Sequence, residues 1–303
     1  MNDQKNNLLS HEEQKSDLTS TLSLIKTRLL KEGDKAYALS SELIKLADEL
    51  SKCELGCFLL KNKGLNGFWT DVIVTYPRNK NSKYKDLEKI MLEKLPTIIA
   101  TQERFQIFKT ILQKQVKDSV AMVSIPCGLM RDLLSLDYTN LKSFKLIGID
   151  LDSNSLENAK DLAKSYGVPT HCSLLQMNAW DFSYKDKFDV ITSNGLNIYE
   201  PDKTKIIELF RKFHNSLKSQ GVLITSFLTY PPDKSSNCEW DLSKIDEMSL
   251  LMQRKIFIDI LQVKWQCYSS SKEIKEQLTT IGFKEIEIVY DSAKIFPTVV
   301  AVK

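Results

Sequence analysis

Apolar positions change rhythm partway along the chain. Up to about residue 95 they recur at helical spacing. Leu22, Leu24, Ile25, Leu29 and Leu30 share one face, and beyond the Gly33-Asp34 break Leu39, Leu43, Leu46, Ala47 and Leu50 repeat it. Gly64 to Asp71, with two glycines beside Phe68 and Trp69, predicts a tight turn rather than a regular element. Residues 101–118 predict an amphipathic helix with Phe105, Ile107, Phe108, Leu112 and Val116 inward. From Val120 onward, short apolar runs alternate with helical patterns. The runs predict strands over 121–125, 144–150, 173–177, 188–194 and 222–228. Helices are expected from Ser153 to Tyr166 behind good N-caps, from Asp202 to a left-handed cap at Gly221, and from a Ser270/Glu273 capping box to Gly282. Residues 244–263 read as a helical insertion. The last two strands, 283–290 and 296–302, are joined by only Asp291 to Lys294, a link too short for anything but antiparallel pairing.

This alternation implies βαβ units: an α/β chain with a seven-stranded, mainly parallel, Rossmann-like sheet whose last strand runs antiparallel. The expected division is an N-terminal α-helical cap over residues 1–118 and an α/β domain over 119–303, carrying a helical insertion at about 240–265.

Composition narrows the function classes. With 303 residues, 42% apolar, 27% charged and a formal net charge of +3, the chain has neither a nucleic-acid groove nor a membrane surface written into it. The gathering of Arg78, Lys80, Lys83 and Lys85 reads as a solvated loop. Six cysteines lack any C-x-x-C pair and only three histidines accompany them, so no metal is expected. The polar start has no signal-peptide core, and no apolar run approaches the length of a bilayer span. The expectation is a cytoplasmic protein, monomer or homodimer, with no nucleic-acid or membrane partner.

Ligands of open α/β sheets bind beyond the carboxyl ends of the strands, and four such ends carry ligand-like residues. After the first come Pro126, Cys127 and Gly128, the glycine allowing close backbone approach. The second ends in Asp150, followed by Leu151, and an acid there can accept both hydroxyls of a ribose diol. After the third, Asn178, Ala179 and Trp180 offer an amide to adenine and an aromatic wall. After the fourth, Asn194 and Gly195 open a polar loop running through Tyr199 and Glu200.

This constellation resembles the class I S-adenosylmethionine-dependent methyltransferases from near residue 120 to the end. Their first motif, an acid followed by G-x-G-x-G, stands here as Ser124-Ile125-Pro126-Cys127-Gly128-Leu129-Met130. The middle glycine alone survives, and Ser124 replaces the acid. Asp150 matches the ribose-binding acid, and Asn178 stands where many members carry Asp beside adenine. The resemblance implies S-adenosylmethionine as cofactor, S-adenosylhomocysteine as product, and an N-terminal extension covering the active site. An acceptor pocket is then expected from Phe68, Trp69, Tyr76, Arg104 and Tyr199, with Arg104 able to reach a carboxylate or phosphate. Tyr76, Tyr199, Glu200 and Tyr230 are the candidate catalytic groups. The paired prolines of amino-methylating nucleic-acid enzymes are missing after the fourth strand, which favours a small-molecule acceptor. Two other readings use the same residues: a nicotinamide-dependent oxidoreductase, although G-x-G-x-x-G is lacking, and a non-catalytic S-adenosylmethionine-binding protein.

Overall fold

A computed structural model of the chain describes residues 17–76, 83, 84, 86–263 and 267–303. Arg78, Lys80 and Lys85 of the basic stretch lie outside them. The helices are α1 (Leu18–Glu32), α2 (Ser40–Leu50), α3 (Glu54–Asn62), α4 (Gly67–Thr75), α5 (Asp86–Lys94), α6 (Pro96–Gln113), α7 (Arg131–Leu134), α8 (Ser153–Ser165), α9 (Leu196–Tyr199), α10 (Lys203–Ser216), α11 (Glu247–Arg254) and α12 (Ser271–Ile281). The strands are β1 (Val120–Ser124), β2 (Phe144–Asp150), β3 (Cys172–Gln176), β4 (Phe188–Ser193), β5 (Leu217–Ser226), β6 (Lys284–Val289) and β7 (Thr298–Val302).

Two compact units emerge. Of the described residues, one joins those from 17 to 102 with the insertion 241–263; the other joins residues 103–240 with 267–303. The boundary thus falls at 102/103 rather than 118/119, and the insertion belongs with the N-terminal helices. The apolar surface of each segment accounts for this. Ile256, Ile260 and Leu261 bury against Ile25, Leu29, Leu43 and Ala47, whereas Phe108 and Leu112 of α6 pack among residues of the sheet.

In the helical unit, α11 runs on into a π-helical turn at Lys255–Ile260. Such a turn leaves carbonyls without their usual partners. Arg28 Nη2 donates to the carbonyls of Asp259 and Ile260 at 2.8 and 2.7 Å. The buried Asp259 carboxylate accepts from Tyr37 Oη at 3.0 Å and pairs with Lys35 at 3.4 Å. The segment read as a turn is instead α4. Asn66 supplies the cap, its Oδ1 accepting from Trp69 N at 2.9 Å, and Gly67 falls at the first helical position, where its conformational freedom costs least.

In the sheet unit the strand order is β3-β2-β1-β4-β5-β7-β6. The first five strands are parallel, and β7 pairs antiparallel with both β5 and β6. Alternation along the strands feeds two cores. Val123, Ile125, Ile147, Ile149, Ile191 and Leu223 face Phe210 and Phe213 of α10 and Ile274 and Leu278 of α12. Met122, Leu146, Val190 and Ile224 face α6, α7 and α8. Each fully buried Phe or Leu contributes about 1.5–3 kcal/mol. The capping box forms as expected, with Ser270 N donating to Glu273 Oε2 at 2.7 Å and Gly282 left-handed at the end of α12. Gly221 is not a helix cap, because α10 stops at Ser216 and β5 begins at once, with Gln220 at φ +62°. Among the described residues no helix is long and apolar enough to cross a membrane.

Candidate functional site

The order of the sheet reverses at β1, which has β2 on one side and β4 on the other. In parallel sheets such a switch point opens a crevice at the carboxyl ends. The structure brings Pro126–Gly128, Asp150–Leu151, Asn178–Trp180 and Asn194–Gly195 to that one edge. Beyond β1 the chain turns tightly. Gly128 takes φ +49° and Met130 φ +58°, with Met130 N donating to the Cys127 carbonyl at 2.6 Å. Cys127 N donates to the Ile149 carbonyl at 2.8 Å, tying this turn to β2.

Asp150 faces the same turn. Its Oδ2 accepts from Gly128 N at 2.8 Å and its Oδ1 from Asp152 N at 3.0 Å. The cap of α8 is Asp152, whose Oδ1 accepts from Asn154 N at 3.0 Å, so Asp150 is not used up as a helix cap. Burial holds the Asp150 carboxyl above its ordinary range, against the lowering effect of those two backbone N–H groups. Leu151 offers its carbonyl to Gln176 Nε2 at 3.1 Å. Asn178 caps the short turn at Ala179–Asp181, its Oδ1 accepting from Trp180 N at 3.1 Å. The half-buried Trp180 indole donates to the Lys205 carbonyl at 3.3 Å.

Sequence reasoning passed over Asp132, in the first turn of α7. Its Oδ2 accepts from Ser124 Oγ at 2.9 Å and from Thr192 Oγ1 at 3.1 Å. A carboxylate thereby returns to the end of β1, where Ser124 itself has none. The signal available was an acid eight residues after Ser124, visible only once the turn folds back. Burial raises the Asp132 carboxyl above its ordinary range, outweighing the two hydroxyls. A raised folded pKa means that this group's contribution to stability is complete below the unfolded pKa and lost as pH rises through the folded one. Wild-type protein is therefore expected to gain stability relative to Asp132→Asn as pH falls through this window, measured by urea melts. Asp132→Ala leaves two buried hydroxyls without their acceptor, at about 1–3 kcal/mol each. Melting curves indifferent to both substitutions would remove Asp132 from this role.

The remaining expected residues divide between the units. Asn194 Oδ1 accepts from Ser226 Oγ at 2.9 Å, and Gly195 at φ +93° opens α9. Arg104 is buried, with Nη1 at 3.4 Å from Ser226 Oγ. Burial pushes the Tyr199 hydroxyl up, opposed by the Arg104 charge. Glu200 is occupied: Oε1 accepts from Asp202 N at 2.9 Å, and Oε2 lies 3.5 Å from Lys205 Nζ. The Tyr230 and Tyr268 ring centroids are 5.8 Å apart. Phe68, Trp69 and Tyr76 sit in the helical unit. Trp69 is 6% exposed and packs near Phe58 and Phe68, while Phe68 is 47% exposed. Tyr76 donates to Glu93 Oε1 at 2.9 Å.

Residues 116–240 match the family model of a methyltransferase domain. A carboxy-S-adenosyl-L-methionine synthase from Campylobacter jejuni is 26% identical over 211 residues, covering 67% of this chain and 85% of that protein. A possible exported protein from Bordetella parapertussis superposes with a TM-score of 0.90 at 36% identity, over 94% of this chain and 95% of that one. The S-adenosylmethionine-dependent methyltransferase SibL shares the fold, with a TM-score of 0.50 at 11% identity over 87% of this chain and 74% of its own. The seven-stranded order with its antiparallel β7, the turn at Gly128 tied to Asp150, and the matched domain agree with one another. Residues 116–240 thus match a methyltransferase domain, and the sheet unit has the seven-stranded fold of the class I methyltransferases.

Proposed function

We propose that the sheet unit binds S-adenosylmethionine along the carboxyl ends of β3, β2, β1 and β4 and methylates a small-molecule acceptor. The observation that carries this reading is the Asp150 carboxylate. An ionised carboxyl group has about four acceptor positions. One backbone N–H occupies each Asp150 oxygen, so each keeps capacity for one hydroxyl of a ribose diol. Gly128 puts no side chain between that carboxylate and a ligand. The Asn178 carbonyl oxygen caps its turn with one lone pair and keeps the other for the amino group of adenine, while its amide N–H group can face a ring nitrogen. Trp180 is fixed beside it through the Lys205 carbonyl.

When bound, the cofactor supplies a methyl carbon made electrophilic by its sulfonium. The chain's part is to orient the acceptor in line and exclude water. Tyr199 stays protonated at neutral pH because burial raises it, and so acts as a neutral hydrogen-bonding group rather than a base. Glu200 is held by Asp202 N and Lys205. An acceptor that needs a strong general base is disfavoured by this set of groups.

Three features support a small molecule: the mild net charge, the absence of paired prolines in Asn194-Gly195-Leu196-Asn197, and the small-molecule product named for the Campylobacter relatives. Ligand that binds only the native state raises the melting temperature. S-adenosylhomocysteine is expected to do so and NAD at equal concentration is not; protection by NAD alone would sink the cofactor assignment. Labelled methyl groups should then pass into the small-molecule fraction of a cell extract. Label confined to protein or nucleic acid would refute the acceptor class.

A further inference from the structure

Taking a guanidinium out of water is costly unless an anion or a full set of acceptors answers it. Arg104 is 6% exposed and has neither. Among the described residues it makes no ion pair, and its Nε, buried, has no hydrogen-bond partner. Nη1 alone reaches an acceptor, Ser226 Oγ, at a long 3.4 Å. Burial lowers the Arg104 pKa to about 10, which leaves the group charged at neutral pH.

The surroundings hold this cation in place without neutralising it. The Ser226 hydroxyl gives its proton to Asn194 Oδ1 at 2.9 Å, so its oxygen is turned toward Arg104. The Phe296 ring lies 4.6 Å from the guanidinium carbon, a cation–π contact. Phe296 is itself fixed by Asp291, whose carboxylate accepts from the backbone N–H of Ala293, Ile295 and Phe296 at 3.2, 3.1 and 2.7 Å. After the Tyr199 hydroxyl, Asp291 has the next electrostatic influence on Arg104 and is its one carboxylate neighbour in this sense, yet its oxygens are engaged by those backbone N–H groups. With Nη1 turned to Ser226, the edge formed by Nε and Nη2 remains, and that edge matches the two oxygens of a carboxylate or phosphate.

We propose that Arg104 is the binding point for an oxyanion, the carboxylate or phosphate of the methyl acceptor, at the carboxyl ends of β4 and β5. This rests on the methyltransferase reading and adds the chemical class of the acceptor. Asn194 links the two sites, since it stands in the turn after β4 and also orders the Ser226–Arg104 contact.

The test uses the full chain saturated with S-adenosylhomocysteine and melted in the presence of inorganic phosphate or benzoate, with chloride at matched ionic strength. Wild-type protein is expected to melt higher with at least one probe than with chloride, and Arg104→Met is expected to lose that shift while keeping its protection by S-adenosylhomocysteine. Protection by benzoate alone marks a carboxylate acceptor; protection by phosphate alone marks a phosphoryl one. Without any ligand, Arg104→Met should melt no lower than wild type, because it removes a buried charge that has no counter-ion. Equal protection of both proteins by the probes, or of neither, overturns the proposal. So does a variant that melts well below wild type with no change in its response to anions, which would make the guanidinium structural. Failure of S-adenosylhomocysteine to protect wild type, with anion protection intact, would count against the methyltransferase reading and leave the oxyanion site standing.

Discussion

Asp150→Ala is expected to lower affinity for S-adenosylhomocysteine by at least about a hundredfold while the fold persists. The estimate rests on two hydrogen bonds to a charged acceptor at about 1.5–3 kcal/mol each, with tenfold for every 1.4 kcal/mol. The substitution also leaves Gly128 N and Asp152 N without their acceptor, which loosens the turn after β1. Titration of the ligand into both proteins measures the change. Undiminished affinity would reduce Asp150 to a brace for that turn. Because burial raises the Asp150 carboxyl, wild-type affinity should weaken on acidification at a pH above the ordinary carboxylate range. Protonation removes an acceptor that the diol requires, so the sign is a loss as pH falls.

The second large effect belongs to the helical unit. Trp69→Ala should cost about 3–5 kcal/mol of that unit's stability, the usual penalty for emptying a buried indole site. The ring is nearly inaccessible and lies against Phe58 and Phe68, with centroids at 6.2 and 5.3 Å. Phe68→Ala, at a far more exposed position, should fall within about 0.5 kcal/mol of wild type. Urea unfolding followed by circular dichroism distinguishes the two. Comparable midpoints for both variants would show that Trp69 is no part of the core. The sequence-based expectation that Trp69 and Phe68 serve alike as pocket walls does not distinguish them; their burial does.

Strands were legible wherever apolar runs met the period of a buried parallel sheet, and the closing pair was legible because its linker allows one geometry only. The interval from Gly128 to Asp150 carried real information, since those residues prove to be directly hydrogen-bonded. Reading failed where a local signal admits two structures. Gly64 and Gly67 suggested a turn, but Asn66 sits where a helix cap is needed, and the cap prevailed. Gly221 suggested a helix end, yet the chain had already entered β5. The groups around Arg104 come from α6, the turn after β4, β5 and the link before β7. No spacing along the chain announces a cluster assembled from four such distant segments. Asp132 was missed for a related reason, because its partners Ser124 and Thr192 meet it only across two adjacent strands.

Both units are built from two separated stretches of chain, and this has a consequence for synthesis. The core around Ile25, Leu29, Leu43 and Ala47 waits for Ile256, Ile260 and Leu261, while the whole of residues 103–240 is made in between. At about 5–20 residues per second, the N-terminal helices spend on the order of ten seconds or more outside the ribosome with that surface uncovered. Arg28, Lys35 and Tyr37 wait equally for Asp259 and the π-helical turn. A nascent chain arrested near residue 240 therefore presents an open apolar groove, the kind of surface that chaperones hold and that aggregation exploits. The insertion is the last component to reach the helical unit, and its arrival makes that unit's completion a late event in the life of the chain.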